Sequence, residues 1–483
     1  MSDFRFPSGF RDAIASALPE QSSQHGEALG HGQLYLPVAH VKALDPNTMV
    51  VVGMRGAGKS VWLTALQDSD TRKWLGTPIG IDDTTIVTVG FKERPEGIDA
   101  FPTKDALVAL IKENEPRLIW KTLVYRQVIR KDAPQAFLRL KTWGDRVRWV
   151  TENPERVDEG IFQQDQALQA KRRFHLVLFD ALDRTADDWK TMNRLVRGLL
   201  QVVLDMRAYK RIRLKVFLRP DQISDPEVRG FPDASKLLDG KESLNWSQRD
   251  LYGLLWRYLA NGTESGDVFR RGCQKIVPKA KWANDFFGDY EVPPLLNQDE
   301  ETQTEIFHAI TGPWMGRDQR RGFPYSWLHG HLCDVHNMVS PRSFLAAIRH
   351  AALDRRDDHD FPIHFESIKL GVQAASRIRV EELEEDFPWM KELFKPLRGM
   401  NVPCPLEAFE EKWIASKTLE SLKATAVRHP QRIELGSVGI LNDLLDLGFV
   451  EQLKDKRINL PDVYRVGYGL GRKGGVKPLK TRE

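Results

Sequence analysis

The chain has 483 residues, 41% of them hydrophobic and 29% charged, and a formal net charge of +4 at pH 7. This composition is ordinary for a soluble globular protein, and at roughly 100–200 residues per domain the length suggests two to four domains. The net charge is too small to mark the whole chain as nucleic-acid binding, so any basic surface must be local.

Cysteine usage and hydropathy narrow the class further. The three cysteines, Cys273, Cys333 and Cys404, are far apart and have no CxxC spacing. This argues against a disulfide framework or a zinc ribbon and suits a reducing compartment. The N-terminal segment lacks the apolar core of a signal peptide, and no stretch approaches the ~20 apolar residues of a membrane span. We therefore expect a soluble, cytoplasmic protein with no membrane contact.

The first half of the chain alternates strands and helices. Residues 49–66 read as strand, loop and helix, and "TTIVTVGF" (84–91) reads as a second strand. Residues 104–170 are mostly helical in pattern, with Trp120, Trp143 and Trp149 expected in the core. "FHLVLFDALDR" (174–184) and "RLKVFLRPDQI" (213–223) contain apolar runs typical of strands buried on both faces, with an amphipathic helix between them. This pattern predicts an α/β fold with a parallel sheet.

The remainder is predicted to be helical until near its end. "LNWSQRDLYGLLWRYLA" (244–260) and "SPRSFLAAIRHAALD" (340–354) each begin at a capping residue and continue with helical apolar spacing. We predict five segments in chain order: an N-terminal lead-in (1–45), a P-loop NTPase core (46–225), a helical lid (226–360), a helical connector (361–430) and a winged-helix-like module with a basic tail (431–483).

A glycine-rich motif directly follows the first strand. "VVGMRGAGKS" (51–60) fits G-x-x-x-x-G-K-[ST] through Gly53, Gly58, Lys59 and Ser60. Glycines let backbone N–H groups converge on phosphate oxygens, and the following helix directs its positive end at the same anion. The motif therefore predicts ATP and Mg²⁺ binding, with Lys59 on the phosphates and Ser60 on the metal. The residues expected to contact the nucleotide are Gly53, Arg55, Gly56, Ala57, Gly58, Lys59, Ser60 and Val61.

A second acidic element follows the buried strand at 174–179. Asp180 stands at the strand end, where it would hold Mg²⁺ together with Ser60. The next position, where a catalytic carboxylate is usual, is Ala181. Asp183 is the candidate for orienting the attacking water, although it could instead form an ion pair with Arg184. The departure at Ala181 therefore argues against fast hydrolysis.

Arg219 ends the next buried strand, which we expect to lie beside the strand of Asp180. A cation at that place is suited to sensing the γ-phosphate. The alternative is an ordinary arginine at a strand end.

Several motifs in order resemble one known group of proteins. "GMRGAGKS", "FDALDR", "KVFLRPD", "LNWS" and "VSPRSF" together resemble the STAND/KAP branch of AAA+-like P-loop ATPases, over about residues 45–355. Bacterial members of that branch are often found in antiphage defence islands. The resemblance implies that Arg342 is a sensor arginine in the lid. Independently, Arg342 lies in the first turn of a predicted helix, where the helix dipole disfavours a cation, so it should have an anionic partner. A plain salt bridge is the alternative.

Two other clusters are less specific. "GRDQRRGFPYSW" (316–327) places Arg317, Arg320 and Arg321 in a Gly-flanked loop. Such a loop suits an arginine finger, a nucleic-acid contact or a plain solvated loop. "HGHLCDVH" (329–336) is the densest group of metal-ligating residue types, but its pattern gives little support for a zinc site.

The chain end has its own pattern. "SVGILNDLLDL" (437–447) reads as a helix stopped by Gly448, and "FVEQL" and "VYRVGYGL" read as two strands separated by "KDKRINLPD". This predicts the back half of a winged helix, which serves nucleic-acid contacts, protein contacts or structural packing alone. "GLGRKGGVKPLK" reads as flexible, basic and exposed. The last thirty residues hold nine basic residues against three acids: Lys454, Lys456, Arg457, Arg465, Arg472, Lys473, Lys477, Lys480 and Arg482.

The sequence thus predicts an ATP-binding regulatory switch that hydrolyses ATP and couples nucleotide state to a partner effector or to DNA or RNA. Homo-oligomerisation is expected. A nucleotide sensor without hydrolysis and a DNA-binding regulatory protein are the alternatives. Lys59, Asp180, Asp183, Arg219 and Arg342 are the predicted catalytic residues, and Ser60 and Asp180 the predicted metal ligands.

Overall fold

The computed structural model describes residues 3–20, 29–93, 100–356, 359–425 and 429–478. The chain divides into two compact units. We call residues 38–245 the sheet unit, and residues 1–37 together with 246–483 the helical unit. Residues 1–37 thus belong to the same unit as the second half of the chain. The five-segment division predicted from the sequence stays a prediction. No helix among the described residues is long and apolar enough to cross a membrane.

The strands are short, and helices and strands are numbered here in chain order. The described strands are β1 (Val50–Val52), β2 (Ile86–Phe91), β3 (His175–Phe179), β4 (Ile212–Leu218), β5 (Glu242–Ser243), β6 (Ala283–Asn284), β7 (Tyr290–Glu291), β8 (Glu451–Gln452) and β9 (Ile458–Asn459). The strands predicted in the segments 49–66, 84–91, 174–184 and 213–223 are all present, as β1, β2, β3 and β4.

The helices fall into two sets. Those of the sheet unit are α2 (Val38–Leu44), α3 (Lys59–Gln67), α4 (Ser69–Leu75), α5 (Lys104–Glu113), α6 (Pro116–Ile129), α7 (Gln135–Leu138), α8 (Trp143–Glu152), α9 (Pro154–Ala170), α10 (Trp189–Met206), α11 (Pro220–Ser224), α12 (Pro226–Arg229) and α13 (Ala234–Leu238). Those of the helical unit are α1 (Phe10–Ala17), α14 (Gln248–Asn261), α15 (Gly266–Ile276), α16 (Pro294–Gln298), α17 (Glu300–Thr311), α18 (Pro324–Leu332), α19 (Pro341–Leu353), α20 (Phe365–Asp386), α21 (Trp389–Phe394), α22 (Leu406–Ala415), α23 (Thr418–Thr425), α24 (Gly436–Asp446) and α25 (Asp462–Gly467).

The sheet unit is built on five parallel strands in the order β2-β3-β4-β1-β5. All five residues of β3 are buried, as expected for an apolar strand with helices on both faces. β4 lies between β1 and β3, so the three strands end side by side at one edge. The predicted α/β fold with a parallel sheet and a P-loop core is confirmed.

Aromatic packing fixes the helices against this sheet. Trp120 of α6 is fully buried and donates its indole N–H to the Leu195 carbonyl of α10 at 2.8 Å. Its ring also meets Phe91 and Phe179 edge-on. Trp143 and Trp149 are only partly buried, but both pack against the same core, as expected from the sequence.

The helical unit has a separate apolar core. Tyr252 of α14 stacks on Tyr325 of α18 and meets Phe307 of α17 and Phe344 of α19 edge-on. α19 lies along α20, and α20 also packs on α25. The predicted helices at 244–260 and 340–354 are present as α14 and α19.

The chain end forms a winged-helix-like module with one strand in a different place from the prediction. α24 ends before Gly448, whose φ is +71°, and β8 pairs antiparallel with β9. β9 lies inside the segment predicted to connect two strands, whereas "VYRVGYGL" contains helix α25. Pro461 directly precedes that helix. Buried Val463 and Val466 have the three-residue spacing of a helix, whereas Tyr464, Val466, Tyr468 and Leu470, also buried, alternate as in a strand. This ambiguity in a short apolar run explains the error.

Candidate functional site

The glycine-rich loop connects β1 to α3. Gly56 and Gly58 have φ of +79° and +99°, a backbone conformation that residues with a β-carbon rarely adopt. A β-carbon on Gly53 would lie 3.2 Å from the Lys59 side chain. The sequence therefore needs glycine here for backbone conformation and for close approach. Ala57 is buried, whereas Arg55 and Val61 are half-buried.

The Lys59 ammonium lies over the start of this loop. Nζ donates to the carbonyls of Gly53 at 2.8 Å and Met54 at 3.0 Å. Burial lowers the pKa of Lys59, an effect that the charge of Asp180 opposes. A lysine whose ammonium is held only by carbonyls of a phosphate-type loop is suited to exchange those contacts for an anion.

Ser60, in the first turn of α3, and Asp180, directly after β3, come together. Ser60 Oγ donates to Asp180 Oδ2 at 2.8 Å, although the two residues are 120 positions apart in the chain. Asp180 is only 5% exposed, and burial raises the pKa of its carboxyl against the opposing effects of Lys59 and Ser60. The structure thus brings together the two predicted metal ligands.

The chain turns sharply after Asp180. Ala181 has φ +55° and ψ +35°, a left-handed conformation that is uncommon for a residue other than glycine. The short 3-10 helix Leu182–Arg184 follows. Burial alone would raise the pKa of Asp183, but the charges of Arg219 and Lys59 outweigh burial and the pKa is lowered. Asp183 is therefore ionised at neutral pH.

Arg219 rather than Arg184 is the cation at Asp183. Arg219 Nη1 lies 3.4 Å from Asp183 Oδ2, whereas Arg184 pairs with Glu93 at 2.5 Å. β4, which carries Arg219 at its end, pairs with β3 as predicted. The Arg219 side chain is only 7% exposed. The alternative of an Asp183–Arg184 pair is not the arrangement found.

Sequence reasoning missed Asp221. Its carboxylate accepts from Arg219 Nε at 3.1 Å and from Nη2 at 2.9 Å. The signal was an acid two residues after the predicted sensor, in "FLRPD". The site is thus a cluster of two cations and three anions. The charges of Asp180, Asp183, Arg219 and Asp221 all act on Lys59.

Buried His40 packs against α3, the helix that follows the glycine-rich loop. Trp62 of α3 donates its indole N–H to His40 Nδ1 at 3.1 Å, and His40 Nε2 lies 3.1 Å from the Asn245 carbonyl. Burial lowers the pKa of His40 to about 4, although the contact with Asn245 raises it slightly. His40 is therefore neutral at pH 7, with its Nε2 protonated to donate to the carbonyl.

Arg342 belongs to the helical unit and has the anionic partner that its position required. Its Nη1 donates to Glu382 Oε1 of α20 at 2.5 Å, and Glu382 Oε2 lies 3.5 Å from Arg379. The salt bridge named as the alternative is therefore present. The role of Arg342 as a nucleotide sensor stays a prediction.

The other predicted clusters are placed as follows. Arg317, Arg320 and Arg321 are exposed, and Arg320 lies 3.8 Å from Asp318. The described residues contain no group of three or more His, Cys, Asp or Glu side chains that could hold a metal. In "HGHLCDVH", His331 contacts the Trp327 carbonyl and Asp462, while Cys333 contacts His329 and Asn337.

The basic chain end is less exposed than predicted. Arg465 is fully buried and donates to Asp462, to the Leu470 carbonyl and to the Val476 carbonyl at 2.8–2.9 Å. Arg472 is likewise anchored, to Asn459 and Asp462. Up to residue 478 this segment is therefore packed rather than flexible. Its exposed basic residues are Lys454, Lys456, Arg457, Lys473 and Lys477, whereas Lys480 and Arg482 lie outside the described residues.

The residues present fit a nucleoside triphosphate with Mg²⁺. The loop has glycines in the left-handed region at positions 56 and 58 and a close approach at Gly53, where a β-carbon would crowd the Lys59 side chain, and these features suit a backbone cradle for phosphate. The hydroxyl of Ser60 and the carboxylate of Asp180 are oxygen ligands of the kind that Mg²⁺ prefers, and they already lie within hydrogen-bond distance.

Comparison with known proteins gives distant structural likeness only. No protein-family model and no curated protein matches the sequence. Cdc6p from Pyrobaculum aerophilum is 13% identical, with a TM-score of 0.29 over 93% of each chain. The ORC2 protein from Aeropyrum pernix, solved as ADPNP–ADP complexes, is 10% identical, with a TM-score of 0.27 over 94% of this chain and 98% of that one. Likeness of this degree carries no functional argument, so the interpretation of the site depends on its own geometry.

Proposed function

We propose that this protein is an ATP-binding regulatory ATPase of the AAA+-like, STAND/KAP type, which couples nucleotide state to a partner effector or to nucleic acid. The observation that carries the proposal is the meeting of Lys59, the Ser60–Asp180 pair and the Asp183–Arg219 pair at one edge of the sheet. The insertion of β4 between β1 and β3 supports the AAA+-like interpretation, because it brings Arg219 between the loop and Asp180.

Each residue has a definite part in the proposed hydrolysis. The loop N–H groups and Lys59 bind the phosphates, and Ser60 with Asp180 holds Mg²⁺, which neutralises phosphate charge when bound. Ionised Asp183 accepts a hydrogen bond from the attacking water and so orients it. The cation of Arg219 stabilises negative charge that develops on the phosphate oxygens.

Nucleotide binding and phosphate release by the purified protein test the proposal. We expect the wild type to bind ATP with Mg²⁺ and release phosphate, and Asp183→Asn to bind but release it at least about tenfold more slowly. Lys112→Ala, which changes an exposed lysine of the same unit, is the matched control. Normal ATP binding by Lys59→Ala would contradict the proposal.

A nucleotide sensor without hydrolysis is the second candidate. Ala181 occupies the position where a catalytic carboxylate is usual, and Asp183, the acid proposed to orient the water instead, is paired with Arg219. Tight ATP binding without phosphate release above that of Lys59→Ala would favour this sensor. Either candidate is compatible with the role in antiphage defence that the family resemblance implies.

For nucleic-acid contact we propose the hairpin of the winged module rather than its helix α24. The exposed residues of α24 include Val438, which is 57% exposed, with Asn442 and Asp446, and the helix contains no lysine or arginine. In contrast, Lys454, Lys456 and Arg457 are exposed at the turn between β8 and β9. Such a surface suits phosphate contacts that do not depend on base sequence.

Fluorescence anisotropy with a labelled DNA duplex tests this surface. We expect Lys454→Ala with Lys456→Ala to weaken binding about tenfold and to make it less dependent on salt. Lys391→Ala with Lys412→Ala removes two other exposed lysines of the helical unit as the matched control. If the wild type binds no duplex at low salt, a protein effector is the favoured partner.

Homo-oligomerisation is also part of the proposal. It has support only from the family resemblance and from the exposed arginines at 317–321, which suit contact with a neighbouring subunit. Size-exclusion chromatography with a non-hydrolysable ATP analogue should shift the protein to a larger species. An unshifted peak would count against assembly.

A further inference from the structure

We propose that Asp221 is a positioning residue, which holds the guanidinium of Arg219 in place against Asp183 so that Arg219 can distinguish ATP from ADP. This inference rests on the proposed function, since it concerns how that site recognises the terminal phosphate. It adds a residue for which the sequence motifs predicted no role.

The geometry around Arg219 is that of a clamped cation. Asp221 accepts from Nε at 3.1 Å and from Nη2 at 2.9 Å, which is a bidentate pair along one edge of the guanidinium. Nη1, on another edge, lies 3.4 Å from Asp183. A bidentate arginine–carboxylate pair fixes the plane of the guanidinium as well as its distance, unlike a single contact. The shorter contacts are to Asp221, so that residue sets the orientation.

The short helix α11, which carries Asp221, is itself held in place by hydrogen bonds. Gln222 Oε1 accepts from the backbone N–H of Arg219 at 3.0 Å, and Gln222 is 3% exposed. Further along, Asp225 accepts from the buried side chain of Asn193 in α10 at 2.9 Å. The carboxylate of Asp221 thus lies on a segment that is bonded to α10, and its position does not depend on the nucleotide loop.

Burial makes the clamp necessary. Arg219 is 7% exposed and shares the site with Lys59, whose positive charge repels it. Without the charge of Asp221, the guanidinium is expected to turn onto Asp183, the other carboxylate that it contacts. That movement would take the cation away from the phosphate and also occupy the carboxylate that orients water.

The test compares affinities for ADP and for a non-hydrolysable ATP analogue, by titration of the full chain with Mg²⁺ present. The measured quantity is the ratio of the two dissociation constants, which reports terminal-phosphate recognition even where turnover is slow. We expect Asp221→Asn to lower this preference for the ATP analogue about tenfold and Asp221→Glu to lower it less. Asp239→Asn, at an exposed carboxylate of the same unit, should leave it unchanged.

A double-variant cycle separates positioning from general support of the fold. If Asp221 acts through Arg219, Asp221→Asn should have no further effect on the preference in an Arg219→Ala background. A preference within twofold of wild type in Asp221→Asn, a raised preference, or an additive loss in the double variant would each overturn the inference. The proposed function fails separately, if the wild type binds no nucleotide or if Lys59→Ala binds it normally.

Discussion

At the carboxyl ends of β1, β3 and β4, charged side chains are clustered and act on one another, whereas at the amino ends two buried charged side chains contact only the backbone of neighbouring loops or their own helix. Lys215 of β4 is fully buried and donates to the carbonyls of Ala43, Asp45 and Thr48 at 2.5–2.9 Å. Asp165 of α9 accepts from three consecutive backbone N–H groups where β4 begins. These charged groups connect loops to the sheet, and we interpret their role as structural.

The opposite edge uses its charges differently. Asp180, Asp183, Arg219 and Asp221 contact other side chains, and their charges all act on Lys59, whose own hydrogen bonds are to two loop carbonyls. The pKa values of Lys59, Asp180 and Asp183 are shifted by burial and by these charges. Clusters of mutually perturbed groups at a strand edge are where functional sites occur. The comparison teaches that burial of a charge does not identify a site, whereas a cluster of opposite charges that act on one another does.

Removal of the backbone-bonded lysine should have the largest effect on stability. We expect Lys215→Met to lower the free energy of unfolding by about 3–5 kcal/mol, because three buried carbonyls lose their donor. Nucleotide affinity of the folded protein should stay within about threefold of wild type. Urea denaturation measures the first quantity and fluorescence titration the second. A loss below about 1 kcal/mol would show that the two edges do not differ in this way.

Removal of the loop lysine should give the reverse result. We expect Lys59→Ala to weaken ATP binding about 100-fold, or roughly 2.7 kcal/mol, because the phosphates lose their buried cation. Its free energy of unfolding should change by less than about 1 kcal/mol. The same two measurements apply. A large loss of stability with normal affinity would place Lys59 in the structural class with Lys215.

The histidine behind the loop helix predicts a pH dependence of stability. The pKa of His40 is lowered from 6.5 to about 4 by burial, so the unfolded chain binds a proton at pH 5 that the folded chain does not. The contribution of His40 to the free energy of unfolding is fully present well above pH 6.5 and is lost as the pH falls towards 4. At pH 5 the free energy of unfolding is lower by about 2 kcal/mol from this group.

The variant that isolates this contribution is His40→Gln, whose amide can still accept from Trp62 and donate to the Asn245 carbonyl. It should lose less stability than wild type between pH 7.5 and pH 5 in urea denaturation. Equal losses in the two proteins would mean that other groups, such as buried His175 and His308, account for the dependence.

The smallest expected effect is at the turn after Asp180. Ala181 is held at φ +55°, which glycine adopts without strain. We expect Ala181→Gly to raise the free energy of unfolding by up to about 1 kcal/mol and to leave nucleotide affinity unchanged. Thermal denaturation and nucleotide titration check the two expectations. A fall in affinity would show that the strained turn is needed to present Asp183.

Much of the candidate site could be predicted because its parts are local in the sequence. Asp180 and Arg219 could be placed at strand ends from the apolar runs before them, and parallel strands bring such ends together. The partner of Asp183 could not be chosen from the sequence, since Arg184 is adjacent and Arg219 is 36 positions away. The order of strands in the sheet decided that choice.

The chain end shows the limit of pattern reading. "VYRVGYGL" is compatible with both a strand and a helix, and only its packing on α20 selects the helix α25. Arg465 was counted in a basic surface because charge is visible in a sequence and burial is not. Its three bonds inside the module come from backbone and side-chain groups that the fold assembles.

The sequence by itself determined the glycine-rich loop, because its pattern is local: Gly53, Gly58, Lys59 and Ser60 lie within eight consecutive residues, directly after an apolar run. Tertiary structure alone decided which charges pair. Arg219 meets Asp183 and Asp221, Arg342 meets Glu382 across 40 residues, and Lys215 meets only carbonyls. Such pairing depends on distances in space, which folding sets and spacing along the chain does not.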